Sequence, residues 1–310
     1  MANIELQIAL NSNARNEGIL AGRARPQGID LRTTRLAPGE AAPAGTAVTE
    51  IPFAHHLAAL GAGDDSKVGV PIFSRRGFPH TAMVVRADAG IDSPSALAGK
   101  KVGIADLAGS EALWTRGALA HEFGVDTSSV QWFGEHQGAS PEWGGGNLVS
   151  RDSSVGEQLL AGQLDAAVLG ADPSLAAVAG DSSIRRLFGD ARGEARRYHD
   201  KTGFFPVLSV VVVSRDVVRR FPWVVLNLYS AFLDSKLQAI SDSAALLAPY
   251  LDAGVINAAT GRALGGDIYT YGVSQQKDLL EAAAGYASEQ GLSSSPLGLE
   301  EIFYPPTLEL

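Results

Sequence analysis

Residues 207–214, VLSVVVVS, set four consecutive valines among apolar neighbours. A run this short and this apolar reads as a strand buried on both faces. A strand of that kind needs a sheet with covering on each side, and the rest of the chain supplies it. Strand-like runs alternate with helical stretches, the pattern of an α/β protein.

The expected strands are residues 4–10, 29–36, 47–51, 68–73, 81–86, 101–106 and 165–169, with a helix over about 54–60. Ser110 is placed to cap a helix that runs to Phe123, with Gly124 as its stop. Pro222 suits a first helical turn. Residues 223–240 are apolar nearly all round, which predicts a buried helix. The C-terminal third is helical and ends with residues 275–290. No repeats occur, the one low-complexity stretch is 37–45, and the glycine-rich 134–147 reads as a surface loop.

Composition narrows the function. At 310 residues the chain suits one large domain or two ordinary ones. Its 25 basic and 34 acidic side chains leave a net charge of −9, which argues against broad nucleic-acid binding. The absence of cysteine excludes a disulfide scaffold, a thiolate zinc site, an iron–sulfur cluster and a cysteine nucleophile. No apolar run approaches the roughly 20 residues that span a bilayer, so no membrane partner is expected. The opening Met1-Ala2-Asn3-Ile4-Glu5 has no basic stretch and apolar core. The expected location is therefore cytoplasmic, or periplasmic if a signal peptide has been removed.

Motifs for P-loop, dinucleotide, nucleophile-elbow and zincin chemistry are all missing. The densest polar constellation is Arg75-Arg76-Gly77-Phe78-Pro79-His80-Thr81. Two guanidiniums at a strand end bind carboxylates well, and a histidine moves protons near neutral pH. The alternative is a charged surface turn. Glu50 ends a short strand, where ligands meet open α/β sheets or where a carboxylate simply caps the next helix. His55 and His56 point about 100° apart on a helix, so they do not readily share a metal. One of them can face a cleft, while a core or surface histidine is the alternative. Ser110 starts a helix whose free N–H groups favour an anion, or merely caps it. Thr202 and Gly203 form either a ligand-facing turn or a crossover between domains.

At these residues the sequence resembles the 4,5-dihydroxyphthalate decarboxylase family. The likeness runs through Val70-Pro71-Ile72-Phe73-Ser74-Arg75-Arg76-Gly77-Phe78-Pro79-His80-Thr81, then Leu97-Ala98-Gly99-Lys100-Lys101-Val102-Gly103 and Trp114-Thr115-Arg116-Gly117-Ala118-Leu119. It resumes at Thr202-Gly203-Phe204-Phe205-Pro206, Phe221-Pro222-Trp223 and Tyr286-Ala287-Ser288-Glu289-Gln290-Gly291-Leu292. It also departs from the family, with Ser209 where a histidine is usual and His55-His56 in place of small hydroxyl residues. The resemblance implies a type 2 periplasmic-binding-protein fold: two α/β lobes with a ligand cleft between them. Lobe one would hold residues 1–86 and 208–310, lobe two residues 87–207, with hinge crossings near Arg86 and Val207.

The leading expectation is a decarboxylase-like lyase acting on a small aromatic or cyclic carboxylate. Arg75 or Arg76 clamps the carboxylate, His80 transfers the proton and Glu50 orients a substrate hydroxyl. Ser110, Thr202, Ser209 and Asn11 complete the binding set. No cofactor is predicted, and His80 with Glu50 gives too few ligands for a metal. The partner is a small anionic organic molecule, and a homodimer is allowed. The rival expectations are a non-catalytic solute-binding protein of an ABC-type transporter and a menaquinone-pathway enzyme.

Overall fold

The computed structural model describes residues 3–37, 39–136, 147–148, 153–170, 178 and 180–310. Residue 38 of the low-complexity stretch and residues 137–146 of the expected glycine-rich loop lie outside them.

The apolar run is β11 (Ser209–Ser214), and it sits inside a five-stranded sheet. In that sheet β1 (Ile4–Asn11) runs parallel to β2 (Ile29–Leu36) on one side and to β3 (Val48–Pro52) on the other. β11 is antiparallel to both β3 and β4 (Lys67–Val70), giving the order β2-β1-β3-β11-β4. Val210, Val211, Val212 and Val213 are at most 1% exposed, as a strand covered on both faces requires. The expected strand 68–73 ends early, because the chain leaves the sheet after Val70 to reach the second one.

The second sheet holds β5 (Met83–Arg86), β6 (Lys101–Asp106), β7 (Gln131–His136), β8 (Asn147–Leu148), β9 (Ala166–Val168) and β10 (Ile184–Arg186). Its order is β10-β5-β9-β6-β7-β8, antiparallel at the β10 end and parallel at the other. β5 stands on the lobe-one side of a boundary after residue 86, yet it pairs in this second sheet. The chain therefore passes between sheets at residues 71–82 and 187–208. These two passages hydrogen-bond to each other: Leu208 N–H donates to the Arg75 carbonyl (2.9 Å) and Gly77 N–H to the Pro206 carbonyl (3.1 Å).

Helices cover both sheets: α1 (Glu17–Leu20), α2 (Phe53–Gly61), α3 (Ser110–Phe123), α4 (Val155–Leu160), α5 (Ala191–Thr202) and α6 (Arg215–Arg220). After them come α7 (Val224–Asp252), α8 (Ala258–Leu264), α9 (Lys277–Glu289) and α10 (Leu299–Ile302). α3 stops where expected. Gly124 takes φ +66°, a left-handed conformation that costs glycine little, and its N–H closes on the Ala120 carbonyl at 3.1 Å. The apolar helix predicted over 223–240 is α7, which runs on to Asp252. Its inward stripe is Val224, Val225, Leu228, Ala231 and Phe232, while Trp223, Leu226 and Leu237 are exposed. Burial of this helix is one-sided, not complete. Among the described residues no helix is long and apolar enough to cross a membrane.

Candidate functional site

Glu50, on β3 beside β11, is buried, and its carboxylate collects four donors. Oε2 accepts the Asn11 N–H (3.2 Å) and Asn16 Nδ2 (2.7 Å), while Oε1 accepts the hydroxyls of Ser209 (2.6 Å) and Ser74. A carboxylate has about four lone-pair directions, so this one is saturated. Ser209 Oγ in turn accepts the Arg75 N–H at 3.1 Å. The group thus ties the end of β1, the middle of β3 and the passage that follows β4 to the start of β11. The expected role of Glu50 in orienting a substrate hydroxyl needs a free acceptor, and this geometry leaves none. Glu50, Ser209, Asn11 and the Arg75 backbone are brought together.

Beside this knot the two sheets meet. His55 Nε2, on the first turn of α2, lies 2.7 Å from Asp106 Oδ2 at the end of β6, with both side chains about one-third exposed. Burial lowers the His55 pKa, but the Asp106 hydrogen bond and the charges of Asp106 and Glu111 outweigh it and hold the imidazole above its ordinary value. Arg75 Nη2 pairs with Glu111 at 2.8 Å, also across the seam. Arg15, in the turn after β1, donates Nε to the Ser74 carbonyl (2.7 Å) and lies 3.7 Å over the Tyr269 ring. Ser110 is fully buried, and its Oγ accepts the Ala54 N–H at 3.0 Å. Gly109, not Ser110, occupies the N-cap position of α3, so Ser110 joins α2 to α3 rather than capping a helix or meeting an anion.

Three expected residues lie elsewhere. His80 is 1% exposed, boxed by the rings of Phe78, Phe188 and Tyr198, with Nε2 3.3 Å from Glu194 Oε1. Burial pushes its pKa down to about 4 against the pull of Glu194, so it is neutral at pH 7. The structure does not bring it to Glu50. Arg76 turns away from Arg75, donating to the carbonyls of Phe205 and Thr270 (2.7 Å each) and to the Gln276 side chain. Thr202 Oγ1 donates to the Tyr198 carbonyl and accepts the Phe204 N–H, closing the C-terminal turn of α5.

His56 departs from His55 as helical spacing requires. It is buried, its Nε2 is 2.8 Å from the Ile302 carbonyl, and burial lowers its pKa to about 4. Asp106, Glu111 and Arg15 were not foreseen. Asp106 is the last residue of β6 and Arg15 lies in the turn after β1, at the strand ends where open α/β sheets meet ligands, and that position was their signal. Among the described residues no group of three or more histidines or carboxylates is placed to hold a metal.

No protein-family model matches the chain. It is 27% identical over 331 residues to a 4,5-dihydroxyphthalate decarboxylase of Comamonas testosteroni, an alignment covering all of this chain and 99% of the relative. A second 4,5-dihydroxyphthalate decarboxylase, from Pseudomonas putida, is 27% identical over 137 residues, 43% of this chain and 53% of that one. The resemblance read from the sequence is borne out along the whole chain. Among solved structures, the periplasmic aliphatic sulphonate binding protein SsuA from Escherichia coli superposes with a TM-score of 0.60 at 13% identity, covering 98% of this chain and 92% of that one. The desulfurization enzyme DSZB does so with a TM-score of 0.55 at 18% identity, covering 99% and 98%. These likenesses establish the fold: two α/β lobes of the periplasmic-binding-protein type.

Proposed function

We propose that the chain is a carboxy-lyase that removes CO2 from a small aromatic or cyclic carboxylate at the seam between the sheets. The His55–Asp106 pair carries the reading: a one-third exposed imidazole whose pKa is raised by Asp106 and by Glu111, the partner of the Arg75 guanidinium. Arg75 exchanges Glu111 for the substrate carboxylate, with Arg15 as a second cation. The bond from ring carbon to carboxylate breaks and its electron pair stays on the ring. With Nε2 paired to Asp106, the imidazolium delivers the Nδ1 proton to that carbon, so that CO2 departs and a new C–H bond on the ring and neutral imidazole remain. Glu50 touches no substrate in this scheme. It positions the loops that present Arg15 and Arg75.

The whole-chain similarity to a protein named 4,5-dihydroxyphthalate decarboxylase supports a lyase. The shared fold of SsuA, named a binding protein, favours a second reading in which the cleft closes on an anion without chemistry. The test is CO2 release from 4,5-dihydroxyphthalate and related dihydroxybenzoates, run beside calorimetric binding. Release by the wild type and its loss in His55→Gln supports the lyase. Tight binding with no release from any of these compounds supports the solute-binding reading instead.

A further inference from the structure

A cavity of about 790 Å3 is lined by none of the seam's His55, Asp106, Arg75 and Glu111 side chains. Its walls come from both passages between the sheets, through Arg76 and Phe78 on one and Thr202, Phe204 and Phe205 on the other. α5 and residues 267–279 close the remaining sides. A volume of several hundred Å3 suits a small organic ligand. Neither the proposed proton donor nor the Glu50 knot reaches it.

Its chemistry favours a planar anion. Arg76 is less exposed than the wall's Arg196 and Lys277, and among the described residues every acceptor that it hydrogen-bonds is uncharged: two backbone carbonyls and the Gln276 side-chain oxygen. Among the described residues its Nε is buried without a partner. Burial brings the guanidinium pKa down to about 10, as expected for a cation removed from water without a hydrogen-bonded carboxylate. Of the acids in the wall, Asp267 is spent on Lys236 at 2.6 Å, while Asp200 and Asp278 are exposed. Arg196 and Lys277 add positive charge at the exposed margin. The Phe78 and Phe205 rings stack at 5.1 Å between centroids, 26° from parallel, and both line the space.

We infer that this cavity is a second ligand site, one that takes a small aromatic carboxylate with its carboxylate toward Arg76 and its ring against Phe78 and Phe205. The site does not depend on the lyase reading, because it shares no side chain with the proposed chemistry. Its walls are the passages between the lobes, so an occupant bears on the arrangement of the sheets around the first site.

The probe is 4-iodobenzoate, whose iodine can be located by anomalous scattering in a soaked crystal. The expected result is an iodine peak in the cavity that persists in Arg75→Gln, which disables the seam, and disappears in Ala195→Trp, which fills the cavity from α5. In calorimetry, Ala195→Trp and the exposed-position variant Ser274→Glu should each weaken one binding event by tenfold or more and spare any other. The inference is overturned if iodine appears only at the seam or nowhere. It is equally overturned if both cavity variants, still folded by circular dichroism, bind 4-iodobenzoate like the wild type. A lyase that fails to release CO2 leaves these outcomes unaltered, so the two readings fail separately.

Discussion

His55 and Asp106 meet at 2.7 Å across the junction of the two sheets, one on α2 and the other at the end of β6. The pairing joins separate parts of the chain and raises the pKa of an imidazole that burial alone would lower. Asp106→Asn should therefore drop the His55 pKa below its wild-type value, read by NMR titration of the ring protons. Because the folded pKa is raised, the stability from this pair is fully present below the unfolded value near 6.5 and is lost as pH rises through the folded value. If the titration midpoint does not move in Asp106→Asn, the pair is not what tunes the ring.

Proton delivery separates two histidines. His55→Gln should cut kcat about 10²–10⁴-fold, the usual worth of a general acid. His80→Gln should keep kcat within a few-fold of wild type while lowering the melting temperature, since His80 is neutral, sealed and bonded to Glu194. A His80 variant that is stable but inactive would reverse these assignments.

Acid should weaken the fold through His56 and His80, both held near pKa 4 by burial. Between that value and the unfolded 6.5 the unfolded chain binds more protons, so stability falls as pH drops through this window. At about 1.4 kcal/mol per unit, each histidine contributes on the order of 3 kcal/mol of loss by pH 4. Urea titrations at pH 7 and pH 4.5 would measure it, and equal stabilities at the two pH values would refute it.

Glu50 should act as a structural knot. Glu50→Ala strands four donors that now converge on one carboxylate, at a cost of at least about 3 kcal/mol in chemical denaturation. Ser209→Ala removes one of the four and should cost about 1–2 kcal/mol. A Glu50→Ala protein of wild-type stability would show that the carboxylate serves the substrate instead.

Arg75 and Glu111 form a pair in which each side chain is more than one-third exposed, so removing it should change stability by less than about 1 kcal/mol. Binding should respond far more. Arg75→Gln should weaken affinity for an aromatic carboxylate tenfold or more, and Glu111→Gln, by freeing the guanidinium, should tighten it. Affinities unchanged by either substitution would remove Arg75 from the site.

Local signals made most of the framework legible. Residues 29–36 and 101–106 form strands with the expected bounds, and α3 runs to Phe123 as its glycine stop predicts. What the sequence hid was direction. Arg75 and Arg76 are neighbours in one extended passage, where successive side chains leave on opposite sides, so one reaches Glu111 and the other Thr270 and Gln276. His55 and His56 diverge by helical rotation in the same way. Proximity in sequence suggested one site for Arg75, Arg76 and His80, and the backbone distributes them among three surroundings. The length of α7 was hidden as well, because Ser241-Asp242-Ser243 interrupts the apolar pattern and Pro249 lies inside the helix.

The two passages between the sheets do not bend as independent cords. Hydrogen bonds from Leu208 and Gly77 and the bridge between Arg76 and Val207 make them a narrow two-stranded ribbon. Such a ribbon flexes readily out of its own plane and resists shear within it, as a leaf spring does. A swing of the lobes about a single axis is the motion that such a ribbon would permit, and a substitution on either strand should then alter the stiffness felt by both.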